Sequence, residues 1–182
     1  MAVGRKTNAI QSLGSSRMFY KEVNADGSDL ATPDTWREFP IVSSSKFADR
    51  TNRDTVYDEE GTKYMIDGNR DVDLSGEILQ TDDDSMAFFT DTVRGKYYRV
   101  IKELNRVMNA SQYQYLVFAA GSFDPAIDIS YPGRRISWMY VPNKMTASTT
   151  VSLTGITGMK ATLPSSTTVD ADNYYKRLVV AS

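Results

Sequence analysis

Carboxylates are the side chains of this chain whose spacing could support chemistry. Three consecutive aspartates occupy residues 82–84, and Asp170 and Asp172 flank a single alanine. Carboxylate oxygens in such groups bind hard cations such as Ca²⁺. No second ligand cluster accompanies the aspartate triplet, and the later pair lacks the glycine and distal glutamate of a calcium loop. We therefore expect no metal site.

The chain contains no histidine and no cysteine. Without histidine, Ser-His-Asp and Cys-His catalysis and the zincin motifs are excluded. Without cysteine, there are no disulfides and no thiolate metal sites. No Walker loop, GxGxxG or GxSxG motif is present, and residues 155–158 (Gly-Ile-Thr-Gly) read as a turn between strands. The sequence therefore predicts a protein that is not an enzyme, with no catalytic residues and no cofactor.

The aspartate triplet has a structural explanation, which is helix capping. Negative charge at residues 82–84 would stabilise a helix N-terminus, and Met86, Phe89 and Val93 recur at helical spacing. Gly95 stands where a left-handed residue would end the helix. We predict one α-helix over about 82–94, packed on a sheet through these apolar residues.

Residues 70–80, just before this helix, alternate in the way of a half-buried strand. Val72, Leu74 and Ile78 fall on one face. The other face carries the carboxylates of Asp71, Asp73 and Glu77. A solvated sheet surface would account for them, and a functional acidic wall is the alternative.

Residues 46–64 combine dense mixed charge with residues that favour strands, and they have no glycine or proline before Gly61. A solvent loop usually contains more turn residues. We predict a long, extended, charged excursion that orders against a neighbouring subunit; a mobile surface loop is the alternative. The assembly residues that we expect in it are Phe47, Arg50, Arg53, Asp54, Val56, Tyr57 and Asp58.

At 182 residues the chain fits one domain, which we place at 17–182, after a flexible polar arm at 1–16. Hydrophobic residues make up 41% of the chain, and no stretch approaches the ~20 apolar residues of a membrane span. A net charge of −2 argues against a protein that grips nucleic acid. The polar N-terminus has no secretory signal, so we expect synthesis and assembly in a cytoplasm.

Several features together resemble the tail tube (major tail) proteins of long-tailed bacteriophages and the related tube subunits of contractile injection systems. They are a short chain without cysteine, a charged excursion at 46–64, a central strand at 70–80, a helix at 81–94 and later strands such as 148–154. The resemblance is architectural and covers about residues 17–160.

The resemblance implies a mainly β fold, an antiparallel β-sandwich or barrel-like tube fold with one packed α-helix. It also implies a viral structural protein of the virion tail, assembled in the host bacterial cytoplasm. Its partners would be copies of itself in stacked hexameric rings, together with the tape-measure and other tail proteins. DNA would pass through the tube during ejection without specific binding, and no membrane would be involved. In such a tube we expect Asp71, Asp73 and Glu77 to face the lumen, where negative charge repels phosphates.

Two other functions remain open. The chain could be another virion structural protein, such as a neck, terminator or decoration subunit. It could also be a β-sandwich binding module, for instance for carbohydrate, which would act as a monomer and expose aromatic residues on one face.

Overall fold

A computed structural model describes residues 17–39, 42–79, 88–104, 112–124, 129–130 and 135–181. The described residues form twelve β-strands, and their pairings are antiparallel. In chain order they are β1 (Met18–Val23), β2 (Arg37–Glu38), β3 (Val42–Tyr57), β4 (Lys63–Leu79), β5 (Tyr97–Leu104), β6 (Gln112–Phe118), β7 (Gly121–Asp124), β8 (Ile129–Ser130), β9 (Arg135–Pro142), β10 (Thr149–Ser152), β11 (Ser166–Val169) and β12 (Lys176–Ala181). The predicted mainly β class is confirmed.

Two five-stranded sheets form the body of the fold. The first has the order β12-β6-β5-β1-β2, and the second has the order β3-β4-β9-β7, with β8 also paired to β9. A core rich in aromatic residues lies between them, and both sheets contribute to it: Tyr20, Tyr98 and Phe118 from the first, and Leu74, Phe123, Trp138 and Tyr140 from the second. Two antiparallel sheets with a shared core are consistent with the predicted β-sandwich.

The central strands of the first sheet, β1, β5 and β6, are buried on both faces. On the side away from the second sheet, the first sheet packs against the β10–β11 hairpin, through a second core that includes Ile101, Val117, Val151 and Val169. A strand covered on both faces shows nearly continuous burial rather than alternation. β5 and β6 have this pattern. β11 lies within residues 163–173, a segment whose polar composition predicts a loop. That prediction is wrong for Ser166–Val169, while the rest of the segment lies outside strands and helices. Pairing with β10 supplies the backbone partners of β11.

The charged segment at 46–64 lies in a long hairpin made by β3 and β4, of 16 and 17 residues. The predicted extended conformation is observed in both strands, and the turn between them spans Asp58–Thr62. The sequence also suggests a turn at residues 67–69, and this is wrong because β4 continues through them. The alternation predicted farther along β4 is confirmed where side chains are described, since Val72 and Leu74 are buried.

The predicted α-helix over about 82–94 is not seen. Its first part, including the aspartate triplet and Met86, lies outside the described residues. The described part is a five-residue π-helix, Phe88–Thr92, in which the Val93 N–H donates to the Phe88 carbonyl oxygen at 3.0 Å. The wider turn accompanies inward packing of two consecutive aromatic rings, Phe88 and Phe89. Gly95 does adopt the predicted left-handed conformation, with φ of 69°.

Residues 1–16, predicted as an arm, lie outside the described residues. In the described ranges, no helix has the length and hydrophobicity needed to span a bilayer.

Candidate assembly site

The β3–β4 hairpin extends beyond the sandwich. β9 pairs with β4 only from Leu74 to Leu79, and among the described residues no third strand pairs with the hairpin beyond that point. We call its two-stranded outer part, residues 51–70, the ribbon. An isolated two-stranded hairpin is at best marginally stable in water. The ribbon is therefore a part of this fold whose order would benefit from a partner.

Large apolar side chains are exposed on both faces of the ribbon. Directly paired residues share a face, so Val56 and Tyr64 lie together on one side, with Ile66 next to them. Their exposed fractions are 45%, 53% and 54%, and on the opposite side Tyr57 and Met65 are 63% and 60% exposed. These five side chains account for more than half of the large exposed hydrophobic residues among the described residues. A concentration of this kind marks an interaction surface.

The turn at the end of the ribbon is stabilised by its own first residue. Asp58 Oδ1 accepts hydrogen bonds from the backbone N–H groups of Thr62 and Glu60, at 2.8 and 3.0 Å. These bonds lower the pKa of Asp58 below its ordinary value. Gly61 has φ of 79°, a left-handed conformation that glycine adopts without strain. The predicted assembly residue Asp58 therefore already has a structural role in the turn.

A β-bulge determines which side chains each ribbon face carries. Thr51 pairs with Arg70 and Arg53 pairs with Asp67, so β3 advances by two residues while β4 advances by three. The additional residue shifts the alternation of β4, because side chains in a strand change face at every residue. Tyr64 consequently lies on the face opposite to the one that is buried farther along the same strand.

The other predicted assembly residues lie at different depths along β3. Phe47 packs inside its own chain, with ring centroids 6.2 Å from Phe118 and 5.1 Å from Tyr175. Arg50 donates to Asp73 across the hairpin at 2.9 Å. Arg53 and Asp54 are exposed on the ribbon.

The predicted acidic face is present on β4 but carries mixed charge. Asp71 and Asp73 lie opposite the buried face of the strand, and Glu77 is half-buried. Asp73 is paired with Arg50, and Asp71 accepts a hydrogen bond from Asn52 Nδ2 at 3.3 Å. The neighbouring strand therefore compensates part of the negative charge that the β4 sequence suggests.

Three residues on this surface are absent from the set predicted above: Tyr64, Met65 and Ile66. The available signal was a run of three large apolar residues in a charged segment. The alternation pattern did not identify them, because a two-stranded ribbon that packs on no other described element exposes both of its faces.

Among the described residues, no group of three or more carboxylates is placed to hold a metal ion. Asp170 and Asp172 are each paired with a lysine, Lys176 at 3.3 Å and Lys144 at 3.0 Å.

The predicted turn at residues 155–158 is confirmed. Gly155 and Gly158 have φ of 89° and 78°. The carbonyl of Gly158 accepts a hydrogen bond from Arg17, whose guanidinium also pairs with Glu38 at 2.7 Å.

Comparison with known proteins adds no identification: no family model matches this chain, and no curated protein has significant sequence similarity to it.

Proposed function

We propose that this chain is a structural subunit that assembles with copies of itself into hexameric rings, which stack into a hollow phage tail tube. The ribbon is the observation that supports the proposal. It leaves the sandwich as a two-stranded hairpin and exposes Val56, Tyr57, Tyr64, Met65 and Ile66. A second copy of the chain would cover these residues and complete the order of the ribbon.

The asymmetry of the subunit favours a ring. The ribbon extends from one part of the molecule, so its contact surface differs from the body surface that would receive it. A contact between two different surfaces of identical subunits is heterologous, and it closes into a ring or continues as a filament. A stacked-ring tube uses lateral closure and axial growth together. The number six comes from the resemblance to tail tube proteins.

In such a tube, the polar face of β4 would line the lumen through Asp71, Asp73 and Glu77. Pairing of Asp73 with Arg50 leaves this wall with mixed charge rather than a uniformly negative one. A wall with paired charges offers few free cations to phosphates, so DNA would pass without specific contacts. Contacts with tape-measure and other tail proteins belong to the same proposal.

The alternative of a β-sandwich binding module is less well supported. A carbohydrate platform requires several aromatic rings on one face, whereas Tyr57 and Tyr64 lie on opposite faces of the ribbon. Another virion structural protein, such as a neck, terminator or decoration subunit, would use the ribbon in the same way. Electron microscopy separates these cases, because only a tube subunit forms long stacks of rings.

The test is assembly of the purified chain, observed by negative-stain microscopy and sedimentation velocity. Replacing residues 52–69 with Asn-Gly would connect Thr51 and Arg70, which already pair across the hairpin, by a two-residue turn. The two-residue turn is compatible with continued antiparallel pairing. We expect tubes from the natural chain, and folded subunits without tubes from the shortened chain.

A matched control keeps the ribbon and removes only charge at its turn, by Glu59→Gln and Glu60→Gln. This variant should still form tubes, because exposed charges contribute little affinity. If the natural chain stays a single subunit at high concentration, or if the shortened chain forms normal tubes, the proposal is wrong.

A further inference from the structure

Four side chains meet where the ribbon leaves the sandwich. Arg70 on β4 donates to both carboxylate oxygens of Asp49 on β3, through Nε at 2.8 Å and Nη2 at 2.6 Å. The Tyr175 hydroxyl donates to the same Asp49 carboxylate at 2.8 Å. The Tyr174 hydroxyl donates to the Arg70 backbone oxygen at 3.3 Å. We call this group the clasp.

The clasp joins the two sheets at the margin of their shared core, in which the Tyr140 hydroxyl of β9 also donates to the Tyr98 backbone oxygen of β5 at 2.7 Å. Asp49 and Arg70 belong to the second sheet, whereas Tyr174 and Tyr175 lead directly into β12 at the edge of the first sheet. The Arg70 guanidinium carbon lies 5.7 and 5.8 Å from the centroids of the two tyrosine rings, within the range of cation–π attraction. One arginine therefore donates two hydrogen bonds to a carboxylate and contacts two aromatic rings, a geometry that a lysine could not reproduce.

The clasp lies at a mechanical boundary. Inside it, Phe47 packs on Tyr175 with ring centroids 5.1 Å apart, and Leu74 pairs with Tyr140 of β9. Outside it begins the ribbon, which has no third strand among the described residues and contains the bulge. A bulge bends and twists its strand. Because the ribbon projects from this boundary, small rotations there become large displacements of the turn at Asp58–Thr62.

We propose that the clasp fixes the direction in which the ribbon leaves the sandwich, and thereby determines where the ribbon meets the next copy of the chain. This inference rests on the assembly function proposed above. It assigns Asp49, Arg70, Tyr174 and Tyr175 as positioning residues, which act on assembly through the ribbon and not by touching the neighbouring copy. Pre-positioning of this kind reduces the ordering cost at the moment of association.

The absence of cysteine from the chain allows a direct test. Cysteines introduced at Glu60 in the ribbon turn and at Thr150 on β10 would carry the only two spin labels. Electron–electron double resonance then measures the distance distribution between them. Diluting labelled chain into unlabelled chain restricts the measurement to distances within one subunit, whether or not it has assembled.

Two variants loosen the clasp to different degrees, and a third is a matched control. Arg70→Gln removes the ion pair and the cation–π contacts, and Tyr175→Phe removes only the hydroxyl that binds Asp49. Arg50→Gln breaks an ion pair of similar length, 2.9 Å, both partners of which lie on the hairpin. We expect the distribution to broaden about two-fold or more with Arg70→Gln, less with Tyr175→Phe, and not with Arg50→Gln. Ring formation should fall more with Arg70→Gln than with Tyr175→Phe.

Each outcome decides a separate point. Distributions that stay as narrow as in the natural chain in both clasp variants would overturn the proposal, as would equal broadening by Arg50→Gln. If Arg70→Gln fails to fold by circular dichroism, Tyr175→Phe decides alone. A broadened distribution with normal rings would overturn the link to assembly. If the natural chain forms no rings, the proposed function fails, while the distances still decide whether the clasp directs the ribbon.

Discussion

The backbone oxygen of Asn52 occupies the space that a side chain on Gly68 would need. A Cβ at Gly68 would lie 2.8 Å from this oxygen, closer than side-chain carbons approach carbonyl groups. The contact is at the bulge of the ribbon, where β4 has one residue more than β3. Glycine in a strand interior commonly marks such a bulge or close approach.

We predict that Gly68→Ala destabilises the ribbon without unfolding the sandwich. The added methyl group must displace the β3 backbone, and overpacking of this kind costs about 1–3 kcal/mol. Hydrogen exchange should therefore accelerate at the amides of residues 51–57 and remain unchanged in β5 and β6. Asn69→Ala, at the next and exposed position, is the control and should leave exchange as it is. Unchanged protection in Gly68→Ala would show that the bulge can absorb the methyl group.

The predicted anchoring role of Phe89 can be tested by thermal unfolding. Its side chain is fully buried and contacts the rings of Phe39, Phe88 and Phe123, with centroids 5.8, 5.0 and 6.3 Å away. Phe89→Ala should cost on the order of 3–5 kcal/mol. Tyr57→Ala, which removes a largely exposed ring, should change stability by less than about 0.5 kcal/mol in the unassembled chain. Similar melting temperatures for the two variants would contradict the packing described here.

The exposed ribbon residues should matter for assembly and not for folding. We predict that Val56→Thr, Tyr64→Thr and Ile66→Thr, made together, abolish tubes while the melting temperature of the subunit stays within a few degrees. Threonine retains the strand preference of these positions and removes their apolar surface. Sedimentation velocity and microscopy measure the first effect, and calorimetry measures the second. Tubes of normal length would place the subunit contact elsewhere.

Stability should increase with pH above 8 because of one buried lysine. Burial lowers the pKa of Lys102 from its ordinary 10.5 to about 8, against a smaller opposite effect of Glu103. Between these values the unfolded chain binds a proton that the folded chain has released. The free energy of unfolding therefore rises with pH across this window.

Urea unfolding between pH 7 and about 9.5 would measure this dependence, below the range where tyrosines ionise in the unfolded chain. Lys102→Met should remove most of the increase in unfolding midpoint over that range. Arg177→Met, which neutralises an exposed cation on β12, is the control and should retain it. A midpoint in the natural chain that does not rise with pH would mean that Lys102 is not buried as described.

Several local features followed from the sequence because their causes are local. Alternation at Val72 and Leu74 requires only a strand with one buried face, and both residues are buried. The left-handed conformation of Gly95 required only a residue without a side chain after a helical turn. The absence of histidine and cysteine excludes whole classes of chemistry through composition alone.

Other features depended on contacts between distant parts of the chain. Residues 67–69 have the composition of a turn, yet they form part of a strand because β3 pairs with Asp67 and Arg70 on either side of the bulge. The described part of the predicted α-helix is a π-helix, in which Phe88 and Phe89 both pack in the core between the sheets. The clasp joins Asp49 to Tyr175, 126 positions away in the chain, so no local pattern could have indicated it. The sequence by itself determined the mainly β class of the fold and the absence of chemistry that needs histidine or cysteine, because these depend on strand period and composition. Only the tertiary structure decided which face of the ribbon each side chain occupies, because a single bulge changes the face of every residue beyond it.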